Sequence, residues 1–469
     1  MAQWLWRLGA FAAALLLAAG VAAWKGEAIV AKVLDLRYGA TVPQPAGPVP
    51  SDPVQARLQD LDYLARLPTI DRSFSERGRA AFAQRVAALR ARAATLTSAQ
   101  FLMGIANAVA QADNAHTNVE LESWRAGLAR APVRFAWFAE GLFIVRARRE
   151  HAALLGMRVS AIDGFDPQAL DRECARYFGG TPEYAHAAST VLLESPQALH
   201  VLERNAPDDR LVLELQDAHG RGQSVELASE PPEGAPDTSK PGRVLAPAPL
   251  AVEAPGAWST VLPAFGSLPP SLREPQRSVH AAVLDPRTLY LHLWQIRSDA
   301  IAPIGSAIAA ALGPAGAAPW QRIVLDLRFD AGGDYPTILA AMKELPQRLA
   351  PGGRLAILID NTTFSAAIIT AVLARHYTGG RTTIFGEDPG DRLVFWAEGT
   401  PMVLPDSRIR IGVATGMHDW AHGCRAWRCY WPNLLHDVAG GSLEPRVRVA
   451  WRFADYRRGV DTVLEQALE

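Results

Sequence analysis

Two neighbouring segments contain the residue types needed for acyl transfer. Gly332 and Gly333 follow one continuous apolar run, and Ser365 and Ala366 follow the next. Apolar runs bounded by turn residues predict buried parallel strands, each followed by a helix. The start of a helix offers unpaired N–H groups and partial positive charge, which suit a developing oxyanion. The pattern predicts Ser365 as a nucleophile, with Gly332, Gly333 and Ala366 forming the oxyanion hole.

Each of these features alone has an ordinary structural explanation. Ser365 could cap a helix, and Gly332 with Gly333 could simply make a tight turn. Their order, however, resembles that in the tail-specific, or C-terminal-processing, serine peptidases. DLRFDAGG (326–333) and TTFSAA (362–367) are similar to the family's DLR-N-x-GG and T-x-S-A, with Asp330 in the place of the usual asparagine. The closing segment 443–465 also resembles this family.

A serine hydroxyl needs a neighbouring base because it is protonated at neutral pH. Lys343 is the last lysine of the chain, so the lysine that many tail-specific peptidases use after the serine is missing here. DNAHT (113–117) is similar to an element of the tricorn-like, histidine-using branch, and this implies His116 as the base. Histidine suits the role because its ordinary pKa is about 6.5. The alternative candidates are His418, His422 and His436.

A third group usually orients the base, and it is most often a carboxylate. Glu387, within the segment FGEDPG (385–390), is the orienting acid that we predict. Three other carboxylates could take the role, namely Asp113, Asp437 and Glu444. Ala115 stands where the tricorn-like pattern has a serine, so one member of that relay is missing.

The N-terminus and the net charge indicate where the protein acts. Arg7 precedes the apolar run 8–24, which is typical of a secretory signal. The segment could be cleaved before Ala23 or kept as an inner-membrane anchor, so we predict an exported, periplasmic bacterial protein. The net charge of −1 does not indicate nucleic acid or an anionic membrane surface as a partner.

The three cysteines fit an oxidising compartment. Cys424 and Cys429 are close in sequence and can form a small disulfide loop in an exported protein. Zinc binding with His418 and His422 is the alternative, but the spacing matches no common structural zinc site. Cys174 is then an odd, buried thiol. We predict no metal and no cofactor.

Composition and periodicity divide the chain into five parts. Residues 1–45 are a signal peptide or membrane anchor with a tether, and residues 46–130 form an N-terminal helical domain. Residues 131–230 form a degraded PDZ-like module or a plain α+β insertion, and residues 231–275 form a loop rich in proline, glycine and alanine. Residues 276–469 form the α/β catalytic core, for which the resemblance implies a crotonase-like or ClpP-like ββα superhelix.

The combined prediction is an exported serine peptidase that cleaves peptide bonds in unfolded or C-terminal protein segments. Its partner is a peptide or protein substrate, and the sequence leaves the oligomeric state open. One alternative is a catalytically silent relative that binds a peptide or a small ligand. Another is a hydrolase of small esters or amides, since fold is no guide to substrate. Metal-dependent hydrolysis lacks a convincing cluster of ligands.

Overall fold

The structure is a computed structural model. The predicted signal sequence at 8–24 lies outside its described residues, as do residues 233–241, 251–252, 255 and 264–267 of the predicted loop. Among the described residues, no helix has the length and apolar character needed to span a bilayer. The described residues are 32–45, 50, 52–203, 206–232, 242–250, 253–254, 256–263, 268–314 and 316–469.

The N-terminal part is helical, as predicted. Thr97 and Gln100 form the predicted capping box, because each side chain accepts a hydrogen bond from the other residue's backbone N–H. The helix that follows buries Phe101, Ile105 and Val109, and the chain then turns at Asp113, whose φ is 51°. The helices are α1 (Pro53–Leu64), α2 (Leu67–Ile70), α3 (Glu76–Ala91), α4 (Ser98–Val109) and α5 (Leu121–Gly127).

An antiparallel sheet follows, and three helices lie between its third and fourth strands. The strands run in the spatial order β1-β2-β3-β4-β5, and β6 pairs with β2. The strands are β1 (Val133–Phe138), β2 (Gly141–Arg148), β3 (Arg158–Ile162), β4 (Arg210–Gln216), β5 (Gly222–Ala228) and β6 (Trp258–Thr260). The inserted helices are α6 (Pro167–Cys174), α7 (Pro182–Leu193) and α8 (Pro196–Leu202). The PDZ-like interpretation stays a prediction.

The N-terminal helices and this sheet share one hydrophobic core. Phe82 and Met103 from the helices, Ile144 and Leu213 from the sheet and Ile411 from the C-terminal part belong to the same buried cluster. The core is therefore continuous across residue 130, where the sequence suggested a domain boundary. The division of the chain into domains stays a prediction.

The C-terminal part is built on a second, mostly parallel sheet. The predicted strands at 323–325 and 355–359 are confirmed, and they pair in parallel. The spatial order is β16-β11-β10-β9-β8-β7, with only β7 antiparallel to its neighbour. The strands are β7 (Val279–Asp285), β8 (Thr288–Leu293), β9 (Trp320–Asp326), β10 (Leu349–Ile359), β11 (Thr382–Gly386) and β16 (Val447–Arg448).

Helices pack against this sheet, and the shorter strands form two separate two-stranded sheets. The helices are α9 (Ile304–Leu312), α10 (Leu339–Arg348), α11 (Ala366–Thr378), α12 (Phe453–Tyr456) and α13 (Thr462–Leu468). The remaining strands are β12 (Val394–Glu398), β13 (Met402–Val403), β14 (Arg410–Ile411) and β15 (Ala414–Asp419), of which β12 pairs with β15 and β13 with β14. The predicted mixed α/β core is confirmed, whereas the superhelix type stays a prediction.

A buried charge network joins the end of β9 to the start of α13. Arg328 donates hydrogen bonds to both carboxylate oxygens of Asp326 and to both of Asp461, and the last two lie 2.9 and 2.7 Å away. Tyr290 and Ser271 also donate to these carboxylates. A buried guanidinium requires such pairing. The network explains why an Asp-Leu-Arg segment ends this strand.

Candidate active site

Ser365 occupies a strained position at the mouth of α11. Its backbone angles are φ 54° and ψ −120°, which a residue with a side chain rarely adopts. Such backbone strain costs about 1–3 kcal/mol, and it persists where the surrounding structure enforces it, commonly at functional sites. Ser365 is half-buried and therefore remains accessible.

The turn after β10 is built by its own side chains. Oδ1 of Asp360 accepts hydrogen bonds from the Thr362 N–H at 2.9 Å and the Thr363 N–H at 3.1 Å. The Thr363 hydroxyl donates to the Leu327 carbonyl, and the Phe364 N–H donates to the Asp330 carbonyl. The serine loop is thus fixed to the loop that follows β9.

The glycine loop lies directly against Ser365. A β-carbon added to Gly332 would stand 2.7 Å from Cβ of Ser365 and 2.9 Å from the Ala366 nitrogen. Gly332 has φ 95° and Gly333 has φ 146°, so both positions favour glycine. The structure therefore brings the predicted nucleophile and its predicted oxyanion donors together.

Asp330 gives this loop a feature that the sequence did not predict. Its Oδ1 accepts a hydrogen bond from the Gly332 N–H at 2.8 Å, and its side chain is fully buried. The Gly332 N–H is therefore already engaged in this conformation. The N–H groups of Ala366 and Gly333 are the remaining members of the predicted oxyanion hole.

His116 reaches the same place from the N-terminal part. Its ring is stacked between Phe364 and Phe395, with centroid distances of 4.4 and 5.0 Å. Nδ1 lies 3.2 Å from Oδ2 of Asp391, which is buried. Neither ring nitrogen makes a hydrogen bond within the described part of the chain, so in this conformation the imidazole is bonded neither to Ser365 nor to Asp391. Catalytic hydrogen bonds often close only when substrate binds.

The carboxylate that lies nearest to a ring nitrogen of His116 is Asp391 rather than Glu387, and the role of Glu387 as the orienting acid stays a prediction. Glu387 comes directly after β11 and lines a cavity beside Asp360 and His186. Removal of water by the surrounding protein and, to a lesser extent, the charge of Asp360 together raise the pKa of Glu387 to about 7. Glu387 is thus part of the cavity wall.

Polar contacts hold the histidine loop against β12. The Asn114 side chain donates to the carbonyl of Trp396 and accepts from the Trp396 N–H, at 3.0 and 3.1 Å. Thr117 donates to Asp71, which also accepts the Ala414 N–H. Arg392 donates to both the backbone and the side chain of Asp113. His116 is therefore positioned by strands of the C-terminal part.

Two other candidate histidines lie further from the serine loop than His116 does. His418 lies behind the Phe395 ring, and His422 lies at the surface. His418 is fully buried and stacks on the Phe395 ring at 4.7 Å, so one aromatic ring separates it from His116. Burial lowers its pKa, and its Nε2 lies 3.3 Å from Glu398. His422 is exposed and pairs with Asp419. His116 is the imidazole next to the serine loop.

The cysteines are arranged as the exported-protein interpretation expects. Cys424 and Cys429 form a disulfide, with their Cα atoms 5.7 Å apart, and both pack against Met417 on β15. Cys174 is fully buried, and burial raises the pKa of its thiol. Within the residues the structure describes, no group of three or more potential ligands could hold a metal ion.

A cavity of about 500 Å³ opens beside the serine loop at the carboxyl ends of the parallel strands. Phe364, which precedes Ser365, and Ala331, which precedes Gly332, both line it. Ligands of α/β proteins commonly bind at this edge of the sheet. The lining surface is mostly apolar, and seven aromatic residues contribute to it, namely Phe135, Trp137, Phe138, Tyr184, Phe329, Phe364 and Trp451.

Comparison with known proteins adds a likeness of fold. A scan against protein-family models and a search of curated proteins find no match. Among solved structures, mature CPAF matches with a TM-score of 0.56 and 13% identity, over 88% of this chain and 96% of that chain. The chain has the fold of mature CPAF. CPAF complexed with lactacystin matches with a TM-score of 0.55 and 13% identity, over 88% of this chain and 97% of that chain.

The CPAF match extends over more than four fifths of each chain. The predicted resemblance to the tail-specific peptidases is confirmed as a likeness of fold. The photosystem II D1 C-terminal processing protease also matches, with 13% identity over 84% of this chain and 93% of that chain, at a TM-score of 0.34.

Proposed function

We propose that this chain is an exported serine-type peptidase. The observation that carries the proposal is that Ser365, on a strained helix start, touches Gly332 while His116 packs on the adjoining Phe364. A nucleophile, a base and backbone N–H donors from distant parts of the sequence thus meet beside one cavity. That combination is what acyl transfer requires.

The proposed reaction begins with attack of the Ser365 hydroxyl on a peptide carbonyl. Nε2 of His116 accepts the hydroxyl proton and later passes it to the leaving amine. Asp391 faces Nδ1 and stabilises the imidazolium that forms in between. The N–H groups of Ala366 and Gly333 hold the oxyanion. Water then hydrolyses the acyl-enzyme through the same histidine.

The apolar run 8–24 and the disulfide support the export part of the proposal. The proposed location is the periplasm, with the N-terminal segment either cleaved or kept as an inner-membrane anchor. The proposed substrates are unfolded or C-terminal protein segments, because an extended chain can enter the cavity beside Ser365.

A fluorophosphonate probe tests the proposal directly. Such probes phosphorylate an activated serine, so the wild-type protein should be labelled at Ser365 and should lose its hydrolysis of unstructured peptides in parallel. The matched control is Ser442→Ala, which removes an exposed serine of the same chain and should be labelled normally. A protein that binds peptides tightly without being labelled would be the catalytically silent relative.

The cavity should select large apolar side chains, because its exposed lining is mostly apolar and includes seven aromatic residues. Ala187 lines it from α7, and Ala187→Trp would fill part of its volume. We expect KM for peptides with leucine or phenylalanine beside the scissile bond to rise by about tenfold or more. Turnover of a small acetyl ester, which does not need the cavity, should stay unchanged. Equal effects on both substrates would contradict this assignment.

Glu387 should make substrate binding depend on pH. Its pKa of about 7 means that the side chain is neutral below that pH and charged above it. A charge on the cavity wall disfavours apolar side chains. We expect KM for the same apolar peptides to rise as the pH increases through about 7, and Glu387→Gln to flatten this rise. Separate determination of KM and kcat at each pH distinguishes this effect from titration of the catalytic base.

A further inference from the structure

An exposed loop between the two disulfide cysteines has an unusual composition. Residues 425–428, Arg-Ala-Trp-Arg, are all exposed, whereas Cys424 and Cys429 on either side are buried. The disulfide closes this short loop and holds it away from the core. Trp427 is 74% exposed, which is rare for a side chain that gains so much from burial.

More exposed apolar side chains lie next to this loop. The Arg37 side chain donates to the Trp427 carbonyl and stands over the Trp427 ring, so the chain around residues 32–38 packs beside it. Leu36 in that segment is 76% exposed. Four of the seven large apolar side chains exposed in the described residues belong to this region, namely Val33, Leu36, Trp427 and Leu434.

The same surface is basic. Arg425 and Arg428 flank Trp427, and Lys32 is exposed on the neighbouring segment. Asp437 pairs with Arg425, and Asp35 is also exposed, so the surface is not purely cationic. Tryptophan flanked by arginine is typical of the boundary between lipid headgroups and water.

The sequence indicates what covers this surface. The first described segment, residues 32–45, is fixed beside the loop, because Tyr38 donates to the Cys429 carbonyl and accepts from the Trp431 N–H. Twelve residues separate Trp24 from Leu36, and an extended chain of that length spans about 40 Å at most. An anchor at 8–24 would therefore keep this surface close to the bilayer.

We propose that the surface formed by Val33, Leu36, Arg425, Trp427, Arg428 and Leu434 rests on an anionic lipid bilayer. Trp427 and Leu36 enter the headgroup layer, and the arginines contact lipid phosphates. The near-zero net charge of the whole chain does not oppose this contact, because the relevant charges are local. Docking here would fix the orientation of the catalytic site relative to the membrane.

The test uses the full-length chain, including the residues before Lys32, in vesicles of phosphatidylcholine and phosphatidylglycerol. Trypsin cleavage after Arg425 and Arg428, measured by mass spectrometry after reduction, is compared with cleavage after Arg221. Arg221 is a suitable reference because its side chain is 78% exposed in a turn between β4 and β5. The measured quantity is the rate of cleavage in the loop divided by the rate of cleavage after Arg221. We expect vesicles to lower this ratio by about tenfold compared with detergent-free buffer, and high salt to reduce the protection.

Variants distinguish contact between this surface and the bilayer from simple tethering by the N-terminal segment. The combined change Leu36→Ser and Trp427→Ser should abolish the protection while peptide hydrolysis stays normal. Val283→Ser, which removes another exposed apolar side chain on β7, is the matched control and should keep the protection. Unprotected loop arginines in the wild-type chain on these vesicles would overturn the proposal, and so would protection that survives the double change.

Discussion

Replacing Ser365 with alanine should lower kcat/KM for an unstructured peptide by on the order of 10⁴-fold or more, and His116→Ala should have a similar effect. The serine is a poor nucleophile without the base, and the base has no proton to accept without the serine. The double variant should therefore be hardly worse than either single variant. Hydrolysis of an internally quenched peptide measures all three.

Two changes elsewhere control for effects on folding. Ser442→Ala and His422→Ala remove the same residue types from exposed positions and should retain full activity. Thermal unfolding of all variants should differ little, because neither Ser365 nor His116 is an essential core residue. Undiminished activity of Ser365→Ala, or of His116→Ala, would refute the proposed mechanism.

Gly332→Ala should lower kcat by on the order of 10²- to 10³-fold, because it should displace the Ala366 N–H and loss of one oxyanion donor has a cost of that size. The new β-carbon would stand 2.7 Å from Cβ of Ser365 and 2.9 Å from the Ala366 nitrogen, so the nucleophile and a donor N–H must both move. KM should change much less than kcat, because the cavity wall stays in place. Steady-state kinetics on one peptide give both constants.

Gly352→Ala is the matched control for this change. Gly352 also has a positive φ, 75°, but a β-carbon there would meet no atom within 4 Å. Both substitutions therefore strain the backbone, which costs about 1 kcal/mol, and only Gly332→Ala disturbs the serine. Equal kcat values for the two variants would show that the contact with Ser365 has no catalytic consequence.

The parallel strands and the position of Ser365 could be predicted from the sequence, because their signals are local. The runs 323–325 and 355–359 are continuous and apolar, and the residues typical of turns that follow them are equally easy to recognise in the sequence. That His116 lies close to the Ser365 loop could be anticipated only through the resemblance to a family. No local pattern relates residue 116 to residue 365.

The carboxylate beside His116 could not be identified in the same way. Asp391 follows FGEDPG by one position, and a loop carboxylate is most often simply solvated. Its burial depends on β12 and on the loop around Asn114, which are contacts between distant segments. The bond from the Gly332 N–H to Asp330 depends on backbone angles that no residue pattern specifies.

The pairing of Arg328 with Asp461 has a consequence for the order of events during synthesis. Until residue 461 has left the ribosome, the guanidinium at the end of β9 lacks one of its two carboxylates, and a half-compensated buried cation costs about 3–5 kcal/mol. The loops that begin at this strand end should therefore take their final shape late. The proposed nucleophile Ser365, whose loop is hydrogen-bonded to the loop after β9, would therefore reach its final position only after the C-terminal helix has been synthesised.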